Sequence, residues 1–327
     1  MKKLDFVIAW VDGSDENHRL KRQQFQPENV VKGAAEDTRF AHNDEIYFSI
    51  ASILKYVPYC GTIYIITDHQ QPSFVGEFEA QGLCRSGQIQ VVDHQEIFRN
   101  YQQYLPTFNS LSIESMLWNI KGISNHFIYL NDDFFFNQQS DLSDFLIDGQ
   151  MVIYGHWQAT LIKKMKYIFR KFLQQNFGMV AEAKYSTAQM LSADRVGMTR
   201  YYEIHHRPHI LSRDLLSTYF KNNKELLDQQ IQFKFRNIDQ LLPVGLSNHL
   251  AIQSDQAILK DDIDIAYLKD GRDLEKCILA LSNSEIKFGC IQSLDQLESL
   301  AEGRIRAALI QKFIGFLPSQ IQPTTVV

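Results

Sequence analysis

FIYLNDDFFF, residues 127–136, starts as an unbroken apolar run and passes into an asparagine and two aspartates. The run predicts a buried strand, because a central strand of a mostly parallel sheet is covered on both faces and shows no alternation. Asn131, Asp132 and Asp133 then fall at its carboxyl end, where open α/β sheets bind ligands. Two adjacent carboxylates there can hold a divalent cation over a nucleotide diphosphate. A capping aspartate turn followed by core phenylalanines explains the same residues.

The composition is that of an ordinary globular protein, with 327 residues, 45% hydrophobic, 22% charged and a formal net charge of -5. Mild acidity and the lack of a lysine-rich tail argue against nucleic acid as a partner. The sequence shows no signal-peptide pattern and no run of about 18 apolar residues, so we expect a cytoplasmic protein. The four cysteines lack a C-x-x-C spacing, which predicts reduced, packed thiols.

Other predicted strands also end in polar residues. The apolar run 4–11 stops at Asp12-Gly13-Ser14-Asp15, and the runs 62–67 and 89–92 are each followed by an aspartate. Strands alternate with helical patterns up to residue 137, which predicts a doubly wound α/β layer. Asp15 or Ser14 is expected to cap the next helix, with a ligand at the strand end as the alternative role for Asp15.

A second acidic cluster stands at residues 43–45. Asn43 is expected to cap a helix that runs to about Lys55, which puts Asp44 and Glu45 in a first turn where negative charge suits the helix dipole. That structural role explains both carboxylates. Arg39, just before the helix, has a planar guanidinium group, which binds phosphate well through two hydrogen bonds.

Two later segments are predicted to be helical and contain candidate functional residues. Glu114 lies within a helix predicted over 111–120, near its apolar face, although a glutamate there more often faces solvent. Residues 161–173 (LIKKMKYIFRKFL) form a basic amphipathic helix. Such a helix can lie on an anionic membrane or meet the phosphates of a lipid-linked substrate. We favour the alternative that the apolar stripe packs on the domain and the basic face is solvated.

The segment His205-His206-Arg207-Pro208-His209 combines imidazoles with a guanidinium, and Arg236 follows 30 residues after His206. Such a set makes either a phosphate clamp or a metal site. Because Pro208 favours an extended backbone, His206 and His209 need not face the same way. We therefore do not expect all three histidines to bind one metal.

These residues lie in segments that resemble the conserved blocks of the Stealth family. The similar segments are LDFVIAWVDGSD (4–15), RFAHNDEIYFSIASILKYVPYCGTIYIITDHQQPSF (39–74), FNSLSIESMLWNIKGISNHFIYLNDDFFF (108–136), HHRPHILSRDLLSTYF (205–220) and FKFRNIDQLLP (233–243). The family comprises hexose-1-phosphate or N-acetylhexosamine-1-phosphate transferases of bacterial capsules, exopolysaccharides and receptor polysaccharides, together with the catalytic part of the animal enzyme that builds the mannose-6-phosphate tag. The likeness covers roughly residues 4–145 and 203–253, and it departs at Gln292-Ser293, where the family tends to have Asn-Asp.

The resemblance implies a Rossmann-like, glycosyltransferase-like α/β fold: a mostly parallel sheet flanked by helices, with a helical insertion and a helical C-terminal part. We expect one catalytic domain over 1–327. Within it, 1–145 would bind the nucleotide sugar, 146–200 would be an insertion with the basic amphipathic helix, and 201–327 would be a second, mainly helical catalytic part.

The resemblance also implies a set of site residues. Glu114, Asp133, His206 and Arg236 fall on the positions regarded as catalytic. Further candidates for binding nucleotide, metal or acceptor are Asp12, Asp15, Arg39, Asn43, Asp44, Asn131 and His209. Asp132 and Asp133 are the expected ligands of Mg²⁺ or Mn²⁺.

The implied reaction transfers a sugar-1-phosphate from a UDP-sugar to a hydroxyl of a glycan acceptor, expected to be lipid-linked. UMP leaves, and a phosphodiester forms in a cell-surface polysaccharide. Two alternatives remain: a metal-dependent glycosyltransferase that releases UDP, and a non-catalytic carbohydrate-binding protein. A lipid-linked acceptor would favour a position at the inner face of the plasma membrane, with peripheral membrane contact.

Overall fold

The computed structural model describes residues 3–26, 43–179, 183–292 and 294–322. In that part of the chain the strands are β1 (Leu4–Ala9), β2 (Cys60–Thr67), β3 (Ile89–Asp93), β4 (His126–Asn131), β5 (Phe134–Phe136), β6 (Leu146–Ile147), β7 (Gln150–Tyr154), β8 (His156–Ala159), β9 (Arg200–Glu203), β10 (His209–Ser212), β11 (Ala257–Lys260), β12 (Ala266–Leu268) and β13 (Phe288–Ile291). The α-helices are α1 (Glu16–Phe25), α2 (Glu45–Tyr56), α3 (Glu77–Ala80), α4 (His94–Ile97), α5 (Ser110–Glu114), α6 (Thr160–Phe177), α7 (Tyr185–Arg195), α8 (Arg213–Asn222), α9 (Lys224–Ile231), α10 (Pro243–Gln253), α11 (Leu274–Leu281) and α12 (Ser299–Phe313). Arg39, a predicted phosphate ligand, lies outside the described residues.

The main sheet has the strand order β10-β4-β1-β2-β3. Strands β1 to β4 run parallel, and β10 pairs antiparallel with β4 at the edge. Phe6, Ile8, Phe127 and Ile128 are fully buried. Burial on both faces explains the unbroken apolar runs, so the predicted mostly parallel α/β sheet is confirmed. The carboxyl ends of four parallel strands meet at one edge.

At the aspartate pair the chain passes from the main sheet into a second sheet. Strand β4 ends at Asn131, and β5 pairs antiparallel with β13 instead of continuing the main sheet. Gly289 lies opposite Phe135, where a Cβ atom would come within 2.0 Å of the phenylalanine ring, so this close approach requires glycine. The turn between the two sheets holds Asp132 and Asp133 at the sheet edge.

Strands of the predicted insertion (146–200) pair with strands of the C-terminal part. Strand β7 pairs with β11, and β8 pairs with β9. The second pairing places His156 directly opposite Glu203. His156 and Glu203, which are 47 positions apart in the sequence, are therefore neighbours in this sheet.

The helix predicted over 111–120 is shorter than expected. Helix α5 ends at Glu114, and a separate 3₁₀ turn covers Leu117–Asn119. The Ser115 hydroxyl donates to the Leu111 carbonyl at 2.7 Å, while the following backbone N–H of Met116 bonds three residues back to Ile113. Side-chain competition for the helix carbonyls accounts for the early end.

The start of α2 also differs from the prediction. Asp44, not Asn43, occupies the cap position, in a left-handed conformation and with no side-chain cap bond. The Glu45 carboxylate accepts the Asn43 N–H at 2.6 Å, and Arg306 holds the segment through an ion pair with Asp44. The predicted Asn43 cap is therefore wrong, whereas Asp15 does cap α1 by accepting the His18 N–H.

Helix α6 faces the opposite way from our preferred interpretation. Its apolar stripe, Leu161, Ile162, Met165, Ile168, Phe169 and Phe172, is between 51% and 67% exposed. The basic side chains turn toward the protein: Lys164 pairs with Asp194 at 2.5 Å, and Lys171 pairs with Asp239 at 2.9 Å. The prediction that the stripe packs on the domain was wrong, because acidic partners distant in sequence capture the lysines.

The cysteines agree with the prediction from the sequence. All four thiols are free, and three of them are buried, as predicted. In the ranges that the structure describes, no helix combines the length and apolar character needed to cross a bilayer.

Candidate active site

Glu114 is buried at the C-terminal end of α5, with only 5% of its surface exposed. The nearby hydroxyls of Tyr129 and Ser110 favour the charged form of its carboxylate and so act to lower its pKa. Arg236 donates to the same Ser110 hydroxyl at 2.6 Å. Burial raises the pKa of Glu114 to about 7, although the Arg236 charge opposes the shift. Glu114 therefore combines a base poised near neutrality with an adjacent cation.

The turn after β4 concentrates negative charge. Burial and the neighbouring Asp133 raise the pKa of Asp132 to about 8. Burial raises the pKa of Asp133 to about 7, with a further contribution from Glu45, while a hydrogen bond from the Cys290 thiol (3.4 Å) opposes it. Burial and Asp132 likewise raise the pKa of Glu45 to about 8. These mutually repelling carboxyls favour a proton or a cation among them.

A divalent cation fits this turn. Among the described residues, the Asp133 Oδ1 atom is buried and makes no hydrogen bond. Within the described ranges the turn carboxylates are not gathered into a preformed cage: the groups found there with three ligand atoms within 4.8 Å are His156, His205 and Asp262, and Asp68, His69 and Asp93. Mg²⁺ commonly binds through one or two carboxylates, several waters and substrate phosphates, so Asp132 and Asp133 suffice.

His206 stands between aromatic rings. It stacks on Tyr185 with ring centroids 5.0 Å apart and lies parallel to Tyr267 at 6.3 Å. Phe134, directly after the aspartate turn, meets it edge-on at 6.0 Å. Burial lowers the pKa of His206, and the positive charge of Arg236 lowers it further. The imidazole is therefore neutral at neutral pH.

The aromatic residues link the four predicted catalytic groups. Burial raises the pKa of Tyr185, the charge of Glu114 raises it further and the charge of Arg236 opposes the shift, while the Tyr185 ring stacks on His206. Burial raises the pKa of Tyr267, and the charge of Asp133 contributes to the shift. The Tyr267 hydroxyl donates a hydrogen bond to Gln292 at 2.8 Å. Residues from four distant parts of the chain thus meet around one set of rings, next to the carboxyl end of β4.

Asn131 and His209, two of the further candidates for ligand binding, lie beside this cluster. Asn131 accepts a hydrogen bond from the Tyr129 hydroxyl at 2.8 Å, which ties it to the Glu114 side of the site. His209 pairs in register with Tyr129 across the sheet and is 7% exposed. Burial holds the pKa of His209 well below its usual range, and Nε2 makes no hydrogen bond within the described ranges.

The other predicted ligands have structural partners. Asp12 accepts bonds from the backbone and hydroxyl of Ser14. Asp15 caps α1, and Asp44 pairs with Arg306 at 2.7 Å. These contacts give each of the three carboxylates a structural role, and their binding of a ligand stays a prediction.

Sequence reasoning missed several residues of the site. Glu45 was assigned to the helix dipole, Cys290 was interpreted only as a packed thiol, and Gln292 was noted only as a departure from the family pattern. Tyr185 and Tyr267 were not singled out. The positions of Tyr267, Cys290 and Gln292 depend on β5, β12 and β13 forming one sheet, and a local pattern does not reveal that pairing. The adjacency of Glu45 to Asn43 and Asp44 was the one usable signal.

Comparisons with known proteins agree on one family. Residues 39–153 match the family model "Stealth protein CR2, conserved region 2". The capsular polysaccharide phosphotransferase cps1A of Actinobacillus pleuropneumoniae is 39% identical over 145 residues, which are 43% of this chain and 38% of that protein. The exopolysaccharide phosphotransferase SCO2592 of Streptomyces coelicolor is 30% identical over 271 residues, which are 82% of this chain and 27% of that protein.

The matched parts cover 38% and 27% of those two relatives, so the chain spans well under half their length. Among solved structures, the apo form of the bifunctional glycosyltransferase WbbM gives a TM-score of 0.48 at 8% identity, covering 99% of this chain and 52% of that chain.

Proposed function

Because this chain carries Stealth conserved region 2 and belongs to that family, we propose that it transfers a sugar-1-phosphate from a UDP-sugar to a hydroxyl of an acceptor glycan. UMP would leave, and the product would be a phosphodiester in a cell-surface polysaccharide. The observation that supports the proposal is that the ring of His206 stacks on Tyr185 and Tyr267, while the charges of Glu114 and Arg236 act on Tyr185 and the charge of Asp133 acts on Tyr267. It supplies a base, anion-binding groups and a neutral imidazole at one place.

Glu114 is the better candidate for the general base. Its pKa of about 7 is matched to proton transfer at neutral pH, and its Oε2 atom makes no hydrogen bond within the described residues. Asp133 has a similar pKa but stands among other carboxyls. Asp132 and Asp133 would hold Mg²⁺ or Mn²⁺, which when bound neutralises phosphate charge.

Arg236 and His206 would act on the phosphates. The guanidinium of Arg236 suits bidentate bonds to phosphate oxygens and stabilises charge that develops in phosphoryl transfer. UMP leaves as a phosphate anion, so it needs charge neutralisation more than a proton. A neutral His206 therefore favours hydrogen bonding to the phosphate, or nucleophilic attack to give a phosphohistidine, over proton donation.

The exposed stripe of α6 supports contact with a membrane that carries a lipid-linked acceptor. Apolar side chains from Leu161 to Phe172 face solvent, and exposed Lys166 adds positive charge beside them. Such a face can bury itself in an anionic lipid interface. Tyr167 and Lys171 on the same helix both bond to Asp239, three residues after Arg236. A membrane bound to α6 would therefore lie near the active site.

The test is incubation of the protein with a panel of UDP-sugars, Mg²⁺ and an oligosaccharide or lipid-linked acceptor, followed by product mass and phosphorus NMR. We expect UMP and a phosphodiester signal. UDP as the sole nucleotide product would instead support a glycosyltransferase. Binding of glycan without turnover of any donor would support a carbohydrate-binding protein.

A matched pair of variants ties the products to the site. Asp133→Asn should abolish them. Asp148→Asn should not, because Asp148 is an exposed turn residue with a left-handed backbone that asparagine also adopts. Equal activity of both variants would remove Asp133 from the mechanism.

A further inference from the structure

We propose that His156, His205 and Asp262 form a second metal site, for a Zn²⁺-like transition metal, distinct from the aspartate turn. The three side chains come from β8, from the segment after β9 and from the segment after β11. Their ligand atoms lie within 4.8 Å of one another. The Asp262 Oδ2 atom is 2.5 Å from His156 Nδ1 and 3.5 Å from His205 Nε2.

The spacing suits a tetrahedral metal after a small adjustment. Zn²⁺ bonds of about 2.0–2.2 Å separate ligand atoms by roughly 3.3–3.5 Å. The distance from Asp262 to His205 already has this value, and the distance from Asp262 to His156 would widen by about 1 Å. The side chains of His156, His205 and Asp262 are 42%, 57% and 35% exposed, which leaves them room to move.

A second carboxylate stands behind one of the imidazoles. The Nε2 atom of His156 is 3.7 Å from Glu203 Oε2, on the side of the ring opposite Asp262. Tyr201 donates to the same Glu203 oxygen at 3.1 Å. A histidine that binds a metal through one nitrogen typically directs the other N–H at such a carboxylate, which fixes its tautomer. Glu203 therefore gives His156 the surroundings of a ligand.

Ion pairing alone explains the cluster less well. Two imidazole rings with centroids 5.8 Å apart share one carboxylate. A single protonated ring would already balance the Asp262 charge, and the second imidazole, which faces the same Oδ2 atom, would then have no role in the ion pair. Two neutral imidazoles and a carboxylate are together a common donor set for a divalent transition metal.

The site would hold the segment that carries His206. Its ligands join β8, the start of the 205–209 segment and the chain after β11, and His205 directly precedes His206. Metal binding itself does not depend on the proposed transferase activity. Only the effect on His206 rests on it.

The test is titration of tag-free protein with Co²⁺ and Zn²⁺, followed by the visible spectrum of bound cobalt and by calorimetry. A His69→Ala background removes the other cluster with suitable spacing, Asp68, His69 and Asp93. We expect one bound metal at pH 7.5 and binding at least tenfold weaker in His205→Ala and Asp262→Asn. Binding should also weaken at pH 5.5, because the imidazoles must be neutral.

Asp261→Asn is the matched control, since Asp261 is an exposed neighbour outside the cluster. It should bind as the background protein does. The proposal is overturned if the background protein binds no metal, or if His205→Ala and Asp262→Asn bind as tightly as the control. Transfer activity is measured separately, so a failure of the transferase proposal would leave these outcomes readable.

Discussion

The turn after β4 and Asp44 at the start of α2 carry the same kind of sequence signal with opposite outcomes. Both place an asparagine before two adjacent carboxylates, Asn131-Asp132-Asp133 and Asn43-Asp44-Glu45. Asp44 is neutralised by Arg306. In the aspartate turn, the pKa values of Asp132 and Asp133 are raised, and Asp133 Oδ1 makes no hydrogen bond in the described part of the chain. A carboxylate marks a binding site where the fold leaves its charge uncompensated.

The largest expected effect is on Asp133. Asp133→Asn preserves the shape of the side chain but removes the charge, so transfer activity should fall roughly 10²- to 10⁴-fold. Steady-state release of UMP would measure this loss, with circular dichroism to check the fold. Activity within a factor of two of the wild type would place the two acidic clusters in the same structural class.

The next largest expected effect is on membrane binding by α6, where Lys164 and Lys171 have protein partners and the apolar stripe is exposed. Met165→Ser with Phe169→Ser should weaken binding to anionic vesicles by about tenfold or more, because two exposed apolar side chains no longer enter the interface. Cosedimentation with vesicles measures this change. Activity on a soluble acceptor should stay within about twofold of wild type, and unchanged vesicle binding would contradict a membrane role for the stripe.

A smaller effect is the pH dependence of stability. The folded-state pKa values of Asp133 and Asp132, about 7 and 8, lie above the ordinary value of 3.8. The native state therefore holds protons that the unfolded chain has released, and this contribution to stability is lost as pH rises from about 4 through 8. The free energy of unfolding, from urea titration, should fall between pH 5 and pH 8. Asp133→Asn should reduce that fall, on the order of 1 kcal/mol.

In the same titrations, Mg²⁺ should raise the wild-type stability at pH 8 more than that of Asp133→Asn. A stability that rises from pH 5 to pH 8 equally in both proteins would show that the turn carboxyls are compensated in the native state.

The smallest expected effect is that of replacing Asp44, whose charge is compensated by Arg306. Asp44→Asn breaks a partly exposed ion pair with Arg306, so the free energy of unfolding should change by about 1 kcal/mol or less. Asparagine tolerates the left-handed backbone at this position. Transfer activity should remain within a few fold of wild type. A loss as large as that of Asp133→Asn would make Asp44 a functional residue.

The sequence predicted the parts of the fold that depend on local composition. The apolar runs of β1, β2, β3 and β4 identified the parallel strands and the polar residues at their ends. Those strands are buried on both faces, so their composition alone is informative.

Features that depend on distant partners could not be predicted in this way. The strand Phe134–Phe136 exists because Phe288–Ile291 pairs with it, about 150 residues later. The orientation of α6 depends on Asp194 and Asp239. The acid–base groups were found through resemblance to a family, but Glu45 and Cys290 entered the site only through the three-dimensional packing around Asp133.

The most direct test of the reaction follows the phosphorus atom that bears the sugar. A UDP-sugar radiolabelled at that phosphorus is incubated with the wild-type protein, Mg²⁺ and acceptor, and the label is located by radiochemical analysis of the separated products. Our mechanism predicts label in a glycan phosphodiester and unlabelled UMP, with neither product from Asp133→Asn. Label retained in UDP while the acceptor gains an unphosphorylated sugar would contradict phosphoryl transfer at this site.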